Sequence, residues 1–211
     1  MFNLNYIKRK IIIGKNRFNL RNKNFTIISN NCWGGFVYNK FGIKYNSPFV
    51  GLFMYAQDYI NLLERFDSID FFEIKFIDIE ESKYKKYIKG ENRNINYPIG
   101  LIDDDLEIHF LHYKSKEEAI EKWTRRAKRI NYENLIFKFS DRDLCTPELI
   151  YRFEKLNFKN KICFTAKEYR NYKSCIQIKE FKDKEFVEFE WMYYERYVDI
   201  KKYLNKYKIG S

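Results

Sequence analysis

Cys32 closes the run Phe25-Thr26-Ile27-Ile28-Ser29-Asn30-Asn31 and is followed by Trp33, Gly34 and Gly35. An apolar, β-branched run ending in two asparagines reads as a buried strand that delivers a side chain into a tight turn. Gly34 and Gly35 let the backbone pass close to something else. If residues 36–41 form a short helix, Cys32 lies near its N-terminus, where the dipole favours a thiolate. Such a thiolate is a nucleophile only beside a base. The chain has two histidines, His109 and His112. In a strand they point to opposite faces, so at most one serves a given site. His112, at the carboxyl end of the strand candidate, is the base of choice, and mid-strand His109 suits a structural role. Cys32 and His112, with Asp141 or Asp143 orienting the ring, would make a nucleophile–base–acid set for acyl or related group transfer. Asn30 or Asn31 would then donate to an oxyanion.

Two other chemistries use the same stretch. Asp141-Arg142-Asp143 at a strand end would serve a glycosyl- or phosphosugar transferase with no covalent intermediate, leaving Cys32 as a small buried thiol. A non-catalytic subunit would instead bind carbohydrate or a partner protein, with Trp33 and Tyr113 stacking on sugar. Asp103-Asp104-Asp105 reads as a hairpin turn, with an acidic metal cluster as its alternative. No cofactor and no metal site are expected: the cysteines at 32, 145, 163 and 175 form no C-x-x-C and have no histidine at ligand spacing.

The elements that must position these residues follow from pattern. Residues 25–29, 71–79, 97–102, 106–113, 135–139, 161–165 and 174–178 read as strands, and 80–96 as a charged surface excursion. Helices are expected over 56–66, from the capping box Ser115/Glu118, from Thr146-Pro147 to residue 156, and over 186–207 as the segment closing the core. On the second of these Glu118–Lys122 and Glu121–Arg125 pair, Arg126 flanks the apolar stripe, and Arg125 and Lys128 face solvent. Strand–helix–strand units with polar turns at strand ends give an α/β fold: a single domain, a mixed and mostly parallel sheet with helices on its faces. Ligands in such sheets bind at the carboxyl ends of the strands, which places residues 30–35 and 140–143 on one rim.

The chain has 211 residues, 45% hydrophobic and 19% aromatic, with few prolines and glycines. That is one domain with a sizeable core, divided here into a basic lead-in (1–24) and an α/β body (25–211). The formal charge of +11 is spread along the chain among 29 acids, and no nucleic-acid recognition motif accompanies it. A specific nucleic-acid partner is therefore not expected. The lead-in carries Lys8, Arg9, Lys10, Lys15, Arg17, Arg21 and Lys23 among apolar residues. It reads as an amphipathic segment that packs on the domain or touches anionic lipid. Reduced thiols, no leader peptide and no apolar stretch of spanning length point to the cytoplasm, with peripheral contact at the inner face of the membrane.

The stretch Ile28–Gly35, then Tyr45-Asn46-Ser47-Pro48-Phe49, Phe110-Leu111-His112-Tyr113, Glu118-Ala119, Trp123, Arg126, Arg129-Ile130 and Asp141-Arg142-Asp143 with Cys145-Thr146, resembles the bacterial family DUF1919. Members are often labelled exopolysaccharide or capsule biosynthesis proteins, which implies a role in surface-polysaccharide assembly. The order of motifs is also similar to papain-like cysteine peptidases of polysaccharide loci, though the Asp-Trp that follows Ser-Pro-Phe there is missing here. That resemblance implies Cys32 as nucleophile and His112 as base. Arg126 and Arg129 would hold an anionic part of a sugar or lipid-linked saccharide, or else pair with Asp141 or Asp143.

Overall fold

The structure is a computed structural model that describes residues 4–90 and 96–206. Four strands form the main sheet: β1 (Thr26–Ser29), β5 (Leu135–Ser140), β6 (Lys161–Thr165) and β7 (Cys175–Gln177), all parallel and in that spatial order. The β-branched, aromatic strands β1, β5 and β6 are buried on both faces, as a parallel sheet between helices requires, and the edge strand β7 is half-buried. Alternation along them sorts the core. Ile27, Ile136, Ile162 and Phe164 point to one face, packed with Trp33, Val37, Tyr38 and Phe41 of α2 (Trp33–Phe41) and with Ile200 and Leu204 of α8 (Ile200–Lys206). Ile28, Phe137, Phe139 and Cys163 point to the other, packed with α3 (Ala56–Glu64), α5 (Lys116–Ala127) and α6 (Pro147–Lys155).

The expected single mixed sheet divides into two. β2 (Lys75–Ile77), β3 (Ile99–Ile102) and β4 (Leu106–His109) form a separate antiparallel sheet. The turn between β3 and β4 puts Asp103 and Asp104 in the left-handed region, which aspartate tolerates. Arg65 pairs with Asp103 at 2.7 Å and Asp105 at 2.8 Å, so the three aspartates are a hairpin turn held by a cation. α4 (Lys85–Gly90) lies in the charged excursion, whose residues 91–95 are outside the described residues. β4 stops at His109, four residues short of the expected end. His109 is fully buried, its ring stacked on Phe53 at 4.7 Å and edged by Tyr55, with Glu107 at 3.5 Å: the structural histidine. Backbone bonds between Phe53 and His109 join the small sheet to the body.

The caps at Ser115 and Thr146 stand as expected, each accepting a first-turn N–H. The C-terminal helix does not. Phe189 takes a left-handed φ of 52°, and only α7 (Glu190–Tyr193), a 3₁₀ turn and α8 form. A bulky residue in that region breaks helix continuity, and residue 207 is outside the described residues.

The basic lead-in is a helix, α1 (Leu4–Phe18), packed against α2. Its anchor is Gly42, the left-handed C-cap of α2, whose position would put a β-carbon 2.4 Å from Ile13 Cγ2. Gly42→Ala is expected to combine backbone strain with this overlap, destabilise the fold by about 1–2 kcal/mol, and loosen α1 first. Limited proteolysis with cleavage mapping within residues 8–17 reads the second effect.

Candidate active site

β1 and β5 are neighbours, so the segments that follow them share one rim, as expected. Beneath the rim lies a fully buried ion pair between Lys138 on β5 and Glu190 at the start of α7. Lys138 also donates to the side-chain oxygens of Asn31 at 2.9 Å and Asn30 at 3.4 Å. The Asn31 amide gives one hydrogen to Ser140 Oγ at 3.3 Å and the other to Glu190. Its oxygen accepts the Trp33 N–H at 3.2 Å and so starts α2. Burial works against the Glu190 charge, but Lys138 and Asn31 outweigh it and hold the carboxyl below its usual range.

This network corrects the oxyanion role of the asparagines. Both hydrogens of the Asn31 amide are committed, and Asn30 is fully buried with its amide on Ser140 at 3.4 Å. The pair sets the register of the helix start instead of facing a substrate. Gly34 is corrected likewise: together with Gly35, which does wall the cleft, it forms the first turn of α2. Their lack of side chains brings the helix onto the body, since a β-carbon at Gly34 would meet Ile27 Cγ2 at 3.1 Å and one at Gly35 would meet Val50 Cγ1 at 3.2 Å. Trp33 is fully buried against Phe164 and Tyr194 and offers no face for a sugar.

Cys32 is the residue immediately before α2, half-buried, with its thiol directed to the Leu52 carbonyl at 3.6 Å. The expected thiolate is not what this setting favours. Burial first, then the charge of Glu190, push the thiol up to about 11, while Lys138 draws it down. Asp143 also raises it through its charge. Cys32 is a neutral thiol at rest.

The thiol opens into a cleft of about 260 Å³ walled by Gly35, Phe36, Asn39, Tyr45, Val50, Gly51, His112, Tyr113, Lys122 and Arg126. Cys32 and His112 are therefore brought to one space. His112 is exposed, on the turn after β4, its backbone N–H bonded to the Gly51 carbonyl at 3.0 Å. Gly51 itself has a φ of +77°, and a β-carbon there would press on Tyr113 at 3.2 Å, so this crossing of loops needs glycine. Arg126 reaches the cleft from α5. It is 8% exposed, stacks over the Tyr45 ring at 4.9 Å, and donates to Val50 O at 3.2 Å and to the Tyr113 hydroxyl. Among the described residues no carboxylate pairs with it, so its expected partnership with Asp141 or Asp143 is replaced by a neutral cradle around a buried cation. Lys122 adds a second positive charge, shared with Glu118. Tyr113 is held above its usual pKa by burial, with Arg126 acting against this.

Arg129 does not reach the cleft; it donates to Tyr45 O at 3.1 Å and braces the loop before Ser47-Pro48-Phe49. Ser47 Oγ caps that loop onto β1 through the Ile27 carbonyl. Asp141 does not orient His112. Its two oxygens accept the backbone N–H groups of Ala166 and Val187, and burial raises its carboxyl to about 6. Both oxygens are thus used in tying β6 and the C-terminal segment to the rim. Asp143, next along, has a left-handed φ of 55°, and its carbonyl accepts the first N–H of α3 at 2.9 Å.

Lys138 and Glu190 were not singled out by the sequence, and Lys122 was read only as the partner of Glu118 on α5. A lysine within Leu-Ile-Phe-Lys-Phe-Ser is the one available signal: a charge inside a doubly buried strand needs a partner.

The sequence profile of one family, Domain of unknown function (DUF1919), matches residues 3–209, which includes the basic lead-in. A Haemophilus influenzae protein, described as an uncharacterized protein, is 39% identical over 162 residues, covering 77% of this chain and 71% of its own. With a match over nearly its whole length, the chain belongs to the DUF1919 family.

Proposed function

We propose that this chain is an enzyme of bacterial surface-polysaccharide assembly that transfers an acyl or related group through Cys32. The observation that carries the reading is the shared cleft: a thiol at a helix start and an imidazole wall the same space as a buried guanidinium with no carboxylate partner among the described residues. A buried, unneutralised Arg126 asks for an anion, and the substrate class is an anionic sugar or lipid-linked saccharide.

Because the resting thiol is neutral, His112 acts as general base in the attack itself rather than in a standing ion pair. Cys32 Sγ bonds to the electrophilic carbonyl carbon while its proton passes to the His112 ring. Collapse of the adduct expels the leaving group, which takes that proton, and a thioester remains. An acceptor hydroxyl then attacks the thioester, its proton passes through His112 to the departing sulfur, and the free thiol returns.

The aspartate-based transferase is less well supported, since both oxygens of Asp141 are engaged by backbone. In a strain lacking the chain, the wild type is expected to restore surface polysaccharide, and Cys32→Ala and His112→Ala are expected not to. Restoration by both variants would end the proposal.

A further inference from the structure

We infer that α1 is an interfacial helix that seats the protein on an anionic bilayer surface. The inference is independent of Cys32 chemistry. One face of α1 holds the body: Ile13 abuts Gly42, and Asn16 Nδ2 donates to Lys40 O at 3.3 Å. The opposite face is a stripe formed by Ile7, Ile11 and Phe18, which recur at i, i+4 and i+11. Among the described residues nothing covers it: Ile7 is 40% exposed, Ile11 65% and Phe18 87%. Single exposed apolar residues are ordinary; an aligned row of them on one helix marks an interaction surface.

Charge identifies the occupant. Lys8 and Lys15 border the stripe on one side and Lys10 and Arg17 on the other. Residues 1–24 contain seven basic residues and no acid. Apolar centre with cationic edges is the pattern of a helix lying in the plane of an anionic membrane: rings and branched chains enter the acyl boundary, and lysine and arginine stems reach the headgroups. A second copy docked stripe to stripe would set these cation rows against each other. A nucleic acid would use the cations and leave the stripe exposed.

The position of α1 ties this surface to the cleft. The groove between α1 and α2 is lined by Lys8, Arg9, Ile12, Phe36 and Asn39, and the last two also wall the Cys32 cleft. The two surfaces are thus neighbours across one groove.

The test is co-sedimentation of the full chain with vesicles of phosphatidylcholine alone or with about 30% phosphatidylglycerol, a composition that supplies an anionic surface. Binding to the anionic vesicles and not to the neutral ones is expected. Ile11→Ser and Phe18→Ser, each at an exposed site and checked for an unchanged melting curve, should each lower the partition coefficient about tenfold. Absence of binding to anionic vesicles overturns the inference. So does binding that both serine substitutions leave unchanged, which would be charge attraction without insertion. Self-association or RNA retention without vesicle binding overturns it in favour of those partners.

Discussion

Cys32→Ala is expected to lower group transfer by roughly a thousandfold or more while leaving the melting temperature close to that of the wild type. Without the thiol there is no covalent intermediate, and binding by Arg126 and Lys122 is all that remains. The fold has little at stake, because Cys32 is half-buried and its contact to Leu52 O at 3.6 Å is weak. His112→Ala should cost activity by about a hundredfold or more, again with the fold intact, since the ring is exposed. Activity and melting temperature measured on the same preparations separate this account from a transferase centred on Asp141. In that case Cys32→Ala would keep its rate.

Lys138→Met should have the largest effect on stability, a loss of about 3–5 kcal/mol. The substitution leaves Glu190 fully buried with its charge uncompensated, and removes a donor from Asn31. Glu190→Leu should be similarly damaging from the other side. The double variant, with both charges gone, should recover much of the loss, as replacing both members of a buried pair commonly does. Urea denaturation midpoints of the two single variants and the double variant provide the cycle. Losses that simply add would mean that Lys138 and Glu190 stabilise the fold separately, against the geometry of a single pair.

The strand alternation, the capping residues and the hairpin aspartates were legible in the sequence because each is a local rule with a local pattern. So was the shared rim, since parallel strands put their carboxyl ends on one side. The separation into two sheets was not legible: pairing depends on which strands meet, and residues 71–79 carry no mark that excludes them from the main sheet. The cleft was legible in two of the residues that wall it, Cys32 and His112, and misread in its supports. Asn30, Asn31 and Asp141 look like polar groups awaiting a substrate. They are instead taken up by Lys138, Glu190 and the backbone of residues 166 and 187, partners distant in sequence that no local pattern announces. The thiol's acidity was misjudged for the same reason. A helix start argues for a thiolate, but burial and Glu190 overrule it.

The central claim, that Cys32 and His112 act together, is tested most directly by site-resolved iodoacetamide labelling against pH in the wild type and in His112→Ala. The account predicts that Cys32 labels ahead of Cys145, Cys163 and Cys175. Its rate should climb with pH toward a plateau set by a thiol pKa of about 11. Near neutral pH it should carry an additional rate that falls about tenfold when His112 is removed, the mark of proton transfer to the ring. A Cys32 that is inert, or that follows the same curve with and without His112, would contradict it.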